Sequence, residues 1–310
     1  MESDEEGSRL VGPGKRALKD LKTILIGLAP ALAPIFIFTF YPVFYAIYTS
    51  LFRYNLKYPH QYGFIGSGNY VAMTETYYFW GSLTSTAIFA IMAIPVIVFA
   101  SLGVALLVTK RFRGAGFLQW LVLVPWAIPL VVSGTIWKWM FDSAYGIFND
   151  VLFRFGLIEE YIPWVTLPMP AMVILLLAFT WVALPMPTLL FMAGIQSIPQ
   201  ELYEAAWVDG AKAFSVFKSI TFTWLRPIML INVIYTTLMS IWSFDLIYTI
   251  TQGGPADFTA LISFYTFHEM FTFLDFGKAS ALSVLVLIIG IILIYAYFRA
   301  LKIGALRLRA

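Results

Sequence analysis

Four polar side chains recur at helical spacing in a strongly apolar stretch towards the end of the chain: Asn232, Thr236, Ser240 and Ser243. Because steps of four, four and three residues keep side chains on one side of an α-helix, we expect them to form a single polar face. Such a face could hydrogen-bond a solute rich in hydroxyl groups, such as a sugar. It could equally hydrogen-bond neighbouring helices, a common use of Ser, Thr and Asn in apolar surroundings.

Groups that could do covalent or acid–base chemistry are few. Cysteine is absent, which excludes disulfides, thiolate metal sites and a cysteine nucleophile. The apolar stretches hold no paired carboxylates, which argues against hydrolysis. Their one clear acid, Asp245, is either a solvated or hydrogen-bonded acid near the outer interface, or a group that contacts a solute or gates the outer mouth. In the outer connection that follows, the neighbours His268 and Glu269 are a weak candidate for a metal or proton site. We therefore expect no catalytic residue, no metal site and a chain that is not an enzyme.

The composition places these residues in a membrane. Of 310 residues, 60% are hydrophobic and only 12% charged, and the mean hydropathy is +0.82, whereas soluble domains carry roughly 25% charged residues. Six apolar stretches are each long enough to cross a bilayer, which takes about 20 residues. Their continuous hydrophobicity favours helices over a barrel. They lie near Leu21–Leu51, Ser82–Thr109, Phe117–Met140, Leu167–Ala193, Pro227–Thr251 and Ala279–Phe298.

The predicted fold is therefore all-α and polytopic, with one transmembrane domain over residues 21–310 and a polar tail over residues 1–20 that we expect to be disordered. Fifteen of the 20 Lys and Arg residues lie in the two termini and in the connections after the second and fourth spans. Since positive charge favours the cytoplasmic side, both termini and residues 194–226 are predicted to be cytoplasmic. Prolines in the first four spans predict bent helices around a path, although proline is also commoner in membrane helices generally.

The segment at residues 194–226 interrupts the apolar pattern. Ser197 is in position to cap a helix, with Pro199 in the first turn and Gln200 reaching back. Two glutamates follow in the early turns, where the helix dipole favours anions. Gly210 is then expected to break the helix. Apolar residues at helical spacing beyond it predict a second amphipathic helix along the membrane: Phe214, Phe217 and Ile220.

Glu204-Ala205-Ala206, with Gly210 and Ile220 behind it, resembles the EAA loop of ABC importer permeases. The longer run over residues 196–211 is similar to the maltose-type carbohydrate-uptake permeases in particular. Further stretches extend the likeness over nearly the whole chain from about Pro30: Phe64–Tyr70, Phe244–Tyr248, Thr251–Pro255 and Gly277–Ala281. One departure is Phe222-Thr223, where the family usually has Leu-Pro, and it leaves the shape of the loop's exit open.

The resemblance implies two sets of functional residues. In the family the EAA segment sits in a cleft of an ATP-binding subunit and transmits its closure to the membrane helices. The positions that this implies for ATPase coupling are Glu201, Glu204, Ala205, Ala206, Asp209 and Gly210. The resemblance also implies sugar-site positions at Thr236 and Ser240. With the fourth span and the remaining polar residues, the predicted substrate path comprises Trp181, Val182, Ala183, Met186, Asn232, Thr236, Ser240, Ser243 and Asp245.

The chain lacks the Gly-x-x-x-x-Gly-Lys-Ser/Thr loop of ATP-binding proteins, so ATP and Mg²⁺ would be bound by other subunits. The implied assembly contains a second homologous permease, two ATP-binding cassette subunits and an external solute-binding protein, in the cytoplasmic membrane of a prokaryote, with lipid and without nucleic acid. We thus predict the permease of an ATP-driven importer of a disaccharide or oligosaccharide that works by alternating access. The alternatives are a non-sugar solute such as a glycerol phosphate, or an ion-coupled secondary sugar carrier, although the inverted repeat and ionisable relay of such carriers are not seen.

Overall fold

The computed structural model describes residues 27–30, 32–109 and 113–307, so the tail predicted to be disordered lies outside the described residues. The helices, in chain order, are α1 (Leu32–Ser50), α2 (Gly68–Thr74), α3 (Tyr77–Val108), α4 (Ala115–Ala127), α5 (Leu130–Met140), α6 (Ile147–Arg154), α7 (Pro168–Ala183), α8 (Pro185–Gln196), α9 (Gln200–Val208), α10 (Ala213–Ile241), α11 (Asp245–Ile250), α12 (Ile262–Phe267) and α13 (Phe276–Arg307). Two short strands, β1 (Phe52–Arg53) and β2 (Gly63–Phe64), pair antiparallel between α1 and α2.

The prediction of an all-α polytopic membrane protein is confirmed. Four helices, α1, α3, α10 and α13, are individually long and apolar enough to cross a membrane. Two bent pairs, α4 with α5 and α7 with α8, bring the count to the predicted six when each pair is one span. The fifth span differs from its prediction, because α10 begins at Ala213 and already ends at Ile241.

The two bent spans break at prolines. The chain turns by 99° between α4 and α5, at Ile128 and Pro129, and by 48° between α7 and α8, at Leu184 and Pro185. Proline supplies no N–H to the preceding turn, so the helix loses a hydrogen bond there. Pro95, in contrast, lies inside the unbroken α3. A proline alone therefore does not fix where a span is interrupted.

Glycines allow two pairs of helices to approach closely, as small residues commonly do in membranes. A Cβ atom on Gly134 of α5 would overlap the Oγ1 atom of Thr249 in α11. A Cβ atom on Gly194 of α8 would overlap Ile228 and lie 2.8 Å from the Leu225 side chain in α10. These contacts place α5 against α11 and α8 against the first half of α10.

We call the end of the bundle that carries residues 197–212 the inner end, following the predicted orientation. At the opposite, outer end the first and last connections form one connected cap. The backbone N–H of Leu56 donates to Leu274 O at 2.9 Å, and that of Gly277 donates to Tyr54 O at 3.1 Å. The cap thereby ties the start of α13 to the end of α1.

Candidate functional site

The two bent spans meet the junction of α10 with α11 at a cavity of about 310 Å³. Its walls come from the break between α4 and α5, the last turn of α7, and the junction of α10 with α11. The lining residues are Trp126, Ile128, Pro129, Leu130, Phe179, Val182, Ala183, Tyr235, Met239, Trp242, Ser243, Phe244, Asp245 and Leu246. Irregular backbone at membrane depth is tolerated where it lines a cavity. The volume falls at the lower end of the range typical of small-molecule sites, roughly 300–1,000 Å³.

The lining combines aromatic surface with a few polar groups. Rings are supplied by Trp126, Tyr235 and Trp242, and a hydroxyl by Ser243. Asp245 carries the only charge among these described lining residues. A carboxylate accepts hydrogen bonds through both oxygens, so it can bind two hydroxyl donors of one ligand. This chemistry suits an uncharged, hydroxyl-rich ring better than an anion, for which the described lining residues supply no cation.

The broken fourth span adds backbone acceptors beside the cavity. Pro185 and Pro187 have no N–H, so the carbonyl groups of Trp181 and Ala183 lose the donors that a regular helix would provide four residues later. Ala183 itself lines the cavity. A freed carbonyl is a strong acceptor that needs a partner when it is buried. Hydroxyl groups of a bound ligand are suitable donors.

The predicted substrate path is divided by the structure. Val182, Ala183, Ser243 and Asp245 line the cavity together. Trp181 instead points towards α5, with its ring centroid 6.3 Å from that of Trp137. Met186, at the start of α8, is half-buried and not part of the lining.

The polar face predicted on the fifth span does not form a cavity wall over most of its length. Asn232, Thr236 and Ser240 are buried within the protein and absent from the lining. The Asn232 Nδ2 atom donates to Pro187 O at 3.3 Å, joining α10 to α8. The Ser240 hydroxyl donates to Thr237 O within its own helix at 2.8 Å. Asn232 and Ser240 thus make polar contacts between and within packed helices, whereas the buried Thr236 hydroxyl and the Asn232 Oδ1 atom have no hydrogen-bond partner among the described residues.

The cavity side of α10 is formed by Tyr235 and Met239, which the sequence analysis missed, as it missed Trp242. Their spacing of four and three residues is the signal that could have identified a second face. Because all three are apolar or aromatic, their pattern looks the same as that of side chains facing lipid.

The inner segment is built around α9, which exposes most of the predicted coupling residues. Glu201, Glu204, Ala205, Asp209 and Gly210 are exposed, while Ala206 is half-buried. The Gln200 amide donates to Glu204 Oε1 at 2.8 Å across one helical turn. An exposed helix that presents small and acidic residues together offers a surface that a partner chain could bind.

The predicted start of this helix is wrong by two residues. Ser197 does not cap it, since α9 begins at Gln200 after Pro199 and has no side-chain cap. The Ser197 hydroxyl instead donates to Gly194 O at 2.8 Å and accepts a hydrogen bond from Trp224 Nε1 at 3.1 Å. The Ser197 side chain thereby joins the end of α8 to the first half of α10.

Gly210 ends the helix as predicted, in the left-handed conformation with φ of +71°. The N–H of Ala211 then donates to Ala206 O at 2.9 Å, which closes the last turn. The second amphipathic helix predicted to lie along the membrane is instead the first part of α10, which runs into the span through a π-helical turn at Phe217–Thr221. The hydroxyls of Tyr203 and Thr221 hydrogen-bond at 2.9 Å and link α9 to that turn.

Glu269, singled out from the sequence together with His268, lies in the outer cap. The Glu269 residue is only 8% exposed. Burial raises the pKa of the Glu269 carboxyl above its ordinary value, and nearby Lys278 opposes this shift. Within the described ranges no group of three or more metal-ligating side chains is assembled, here or elsewhere.

Comparison with known proteins gives close relatives. No model of a known protein family matches the chain. The chain is 34% identical over 295 residues to the trehalose/maltose transport system permease protein of Thermococcus litoralis, covering 94% of this chain and 97% of the relative. It is also 34% identical over 285 residues to the sulfoquinovosyl glycerol transport system permease protein of Agrobacterium fabrum, covering 92% of each. A chain in the crystal structure of a bacterial alginate ABC transporter, solved with an alginate pentasaccharide-bound periplasmic protein, shares the fold, with a TM-score of 0.78 over 91% of this chain and 94% of that one at 17% identity.

Proposed function

This chain belongs to the permease subunits of carbohydrate ABC transporters, and from that membership we propose that its cavity is part of the path by which a sugar crosses the membrane. The observation that carries the proposal is the convergence of two broken spans and the junction of α10 with α11 on one aromatic cavity. Transport sites are often built from such interrupted helices, whose free backbone groups and side chains face the solute.

We propose a neutral disaccharide or oligosaccharide as the solute. One relative is named for trehalose and maltose, which are neutral disaccharides, and the other for sulfoquinovosyl glycerol, whose sulfonate is an anion, so the choice of a neutral solute rests on the cavity lining. The aromatic faces of Trp126, Tyr235 and Trp242 can pack on the apolar faces of sugar rings. Asp245 can accept hydrogen bonds from sugar hydroxyls. A glycerol phosphate fits less well, because the described lining residues include no Lys or Arg to pair with a phosphate.

We further propose that α9 is the contact with an ATP-binding subunit. Its exposed glutamates and small residues could enter a cleft of that subunit, and its hydrogen-bonded link to α10, between Tyr203 and Thr221, would carry the motion onward. The bond from Trp224 to Ser197 holds the end of α8 to α10 beside this link. Closure of two such clefts would rotate the attached spans as rigid bodies. Since α10 forms one wall of the cavity through Tyr235 and Met239, the motion would reach the solute directly.

The complete assembly would then contain a second permease, two ATP-binding subunits that hydrolyse ATP with Mg²⁺, and an external solute-binding protein, in the cytoplasmic membrane of a prokaryote. The binding protein would deliver sugar at the outer end, beside the cap. ATP binding would open the cavity outward, and hydrolysis would return it to the inner side. The positive-inside distribution of Lys and Arg supports this orientation.

A pair of substitutions on α10 tests the path. Met239→Trp fills the cavity that Met239 lines, whereas Ile231→Trp adds the same ring two turns away at a residue that is 51% exposed. In proteoliposomes containing the complete transporter, we expect ATP-dependent uptake of maltose or trehalose to fall at least tenfold in Met239→Trp and to stay near normal in Ile231→Trp. Equal uptake by the two variants would contradict the proposed path.

A further inference from the structure

The outer connection between the third and fourth spans contains a helix with three distinct sides. At about 100° per residue, Ile147 and Val151 lie on one side of α6, and Phe148, Leu152 and Asn149 follow on the next side. Phe155, which directly follows the last residue of the helix, belongs with the first set and lies at its border with the second. The second set faces the protein, since Asn149 is completely buried and its neighbours are half-buried. The first set is apolar and points away from the described chain.

Hydrogen bonds hold this orientation in place. The Asn149 Nδ2 atom donates to Asp142 O at 3.2 Å and to Ile162 O at 3.0 Å. Its Oδ1 atom accepts from the N–H of Ile162 at 3.1 Å and from Trp164 Nε1 at 2.8 Å. The Phe148 ring stacks on Phe141 with centroids 4.2 Å apart. Rotation of the helix about its axis would break all of these contacts, so the apolar side cannot turn inward.

The outward apolar side is unusually open for a segment in contact with water. Ile147 is 58% exposed, Val151 43% and Phe155 76%. On the adjacent third side Arg154 and Asp150 form an exposed ion pair at 2.9 Å. A short helix with one apolar side, one charged side and one side fixed to the protein has the pattern of a helix at a membrane surface.

The apolar side is continuous with the exposed surface of the third span. One shallow surface pocket is lined jointly by Ile136, Trp139 and Met140 of α5 and by Tyr145 and Ile147 at the start of α6. Trp139 is 61% exposed and Tyr145 68%. Exposed Trp and Tyr rings at the end of a span are typical of the level of the lipid headgroups.

We propose that α6 lies in the outer leaflet, at the boundary between headgroups and acyl chains, with Ile147, Val151 and Phe155 inserted among the lipids. The ion pair of Asp150 and Arg154 then faces the headgroups and water. The partner is a lipid surface, because the apolar stripe continues the side of α5 that carries Trp139 at the end of a membrane span. The inference depends on the chain's place in a membrane and not on the solute that it transports.

Single cysteines test this placement, because the chain has none of its own. Val151→Cys and, as a matched control one residue away, Asp150→Cys are spin-labelled in the complete transporter with cysteine-free partner subunits, in nanodiscs of phosphatidylcholine and phosphatidylglycerol. Loss of the exposed ion pair in the control should leave the fold intact, since exposed ion pairs contribute little to stability. Collision of each label with oxygen, which is enriched in lipid, is compared with collision with a water-soluble nickel chelate.

We expect the label at residue 151 to collide severalfold more with oxygen relative to nickel than the label at residue 150, and Phe155→Cys to behave like Val151→Cys. Nickel-dominated collisions at both 150 and 151 would place α6 in water and overturn the proposal. Exclusion of both reagents at 151 would also overturn it, because it would show that a protein subunit covers the stripe. Sugar uptake measured on the same samples is an independent readout, so failure of the transport proposal would be seen separately.

Discussion

The backbone of Gly210 offers a test of whether the shape of the inner segment matters. Its φ of +71° lies in the left-handed region, which costs a residue with a side chain about 1–2 kcal/mol. A Cβ atom there would meet no atom within 4 Å, so Gly210→Ala changes the backbone preference without a clash. A difference of one or two kcal/mol shifts an equilibrium about 5- to 30-fold.

We therefore expect Gly210→Ala to lower ATP-dependent sugar uptake about 5- to 30-fold in proteoliposomes holding the complete transporter. Gly210→Asn should lose less, because Asn tolerates the left-handed region, and Gly210→Val should lose most. Gly103→Ala in α3 is a suitable control, since a Cβ atom there also meets nothing within 4 Å and its φ is not left-handed. If Ala, Asn and Val at residue 210 all gave the same uptake, whether normal or abolished, the reasoning from backbone shape would be wrong.

Two further predictions concern stability, measured as the apparent unfolding midpoint in detergent. Gly134→Ala should destabilise the protein by about 1–3 kcal/mol, because the added Cβ atom would overlap Thr249. The control Gly103→Ala should be neutral or stabilising. An unchanged midpoint in Gly134→Ala would refute the close contact of α5 with α11. Burial raises the pKa of the Glu269 carboxyl in the folded state. The folded protein therefore loses stability as pH rises above the ordinary pKa of a glutamate, about 4.3, and the loss is complete above the raised pKa of the folded state. Glu269→Gln should therefore raise the midpoint at pH 7 and have little effect near pH 4, and a midpoint lowered at pH 7 would contradict this sign.

The sequence predicts the membrane-spanning fold well because the signal is strong over long stretches. Each of the six apolar runs corresponds to a helix or a bent pair, and Gly210 ends α9 as its conformational freedom suggests. The start of α10 was misplaced because Phe214, Phe217 and Ile220 have the amphipathic spacing of a surface helix, although they belong to a span. The same local pattern fits both, and only packing against the rest of the bundle separates them.

The cavity was harder to predict for a different physical reason. Polar residues such as Asn232 and Ser240 stand out in an apolar span, yet their groups serve equally well in hydrogen bonds between helices, as for Asn232, or within one helix, as for Ser240. Tyr235 and Met239, which do line the cavity, carry no such signal. The cavity also depends on three helix breaks from distant parts of the chain, and no local sequence window contains all three.

The central proposal is that this cavity opens alternately to the two sides of the membrane under the control of ATP. It is tested most directly with Val182→Cys, since Val182 lines the cavity and the chain has no other cysteine. The variant is prepared in inverted and right-side-out vesicles holding the complete transporter with cysteine-free partner subunits. We expect a membrane-impermeant thiol reagent to label the introduced thiol from the inner side without nucleotide and from the outer side in the ATP-bound state. Sugar should slow both reactions. Labelling that is the same from each side whatever the nucleotide, or that sugar does not slow, would contradict the proposal.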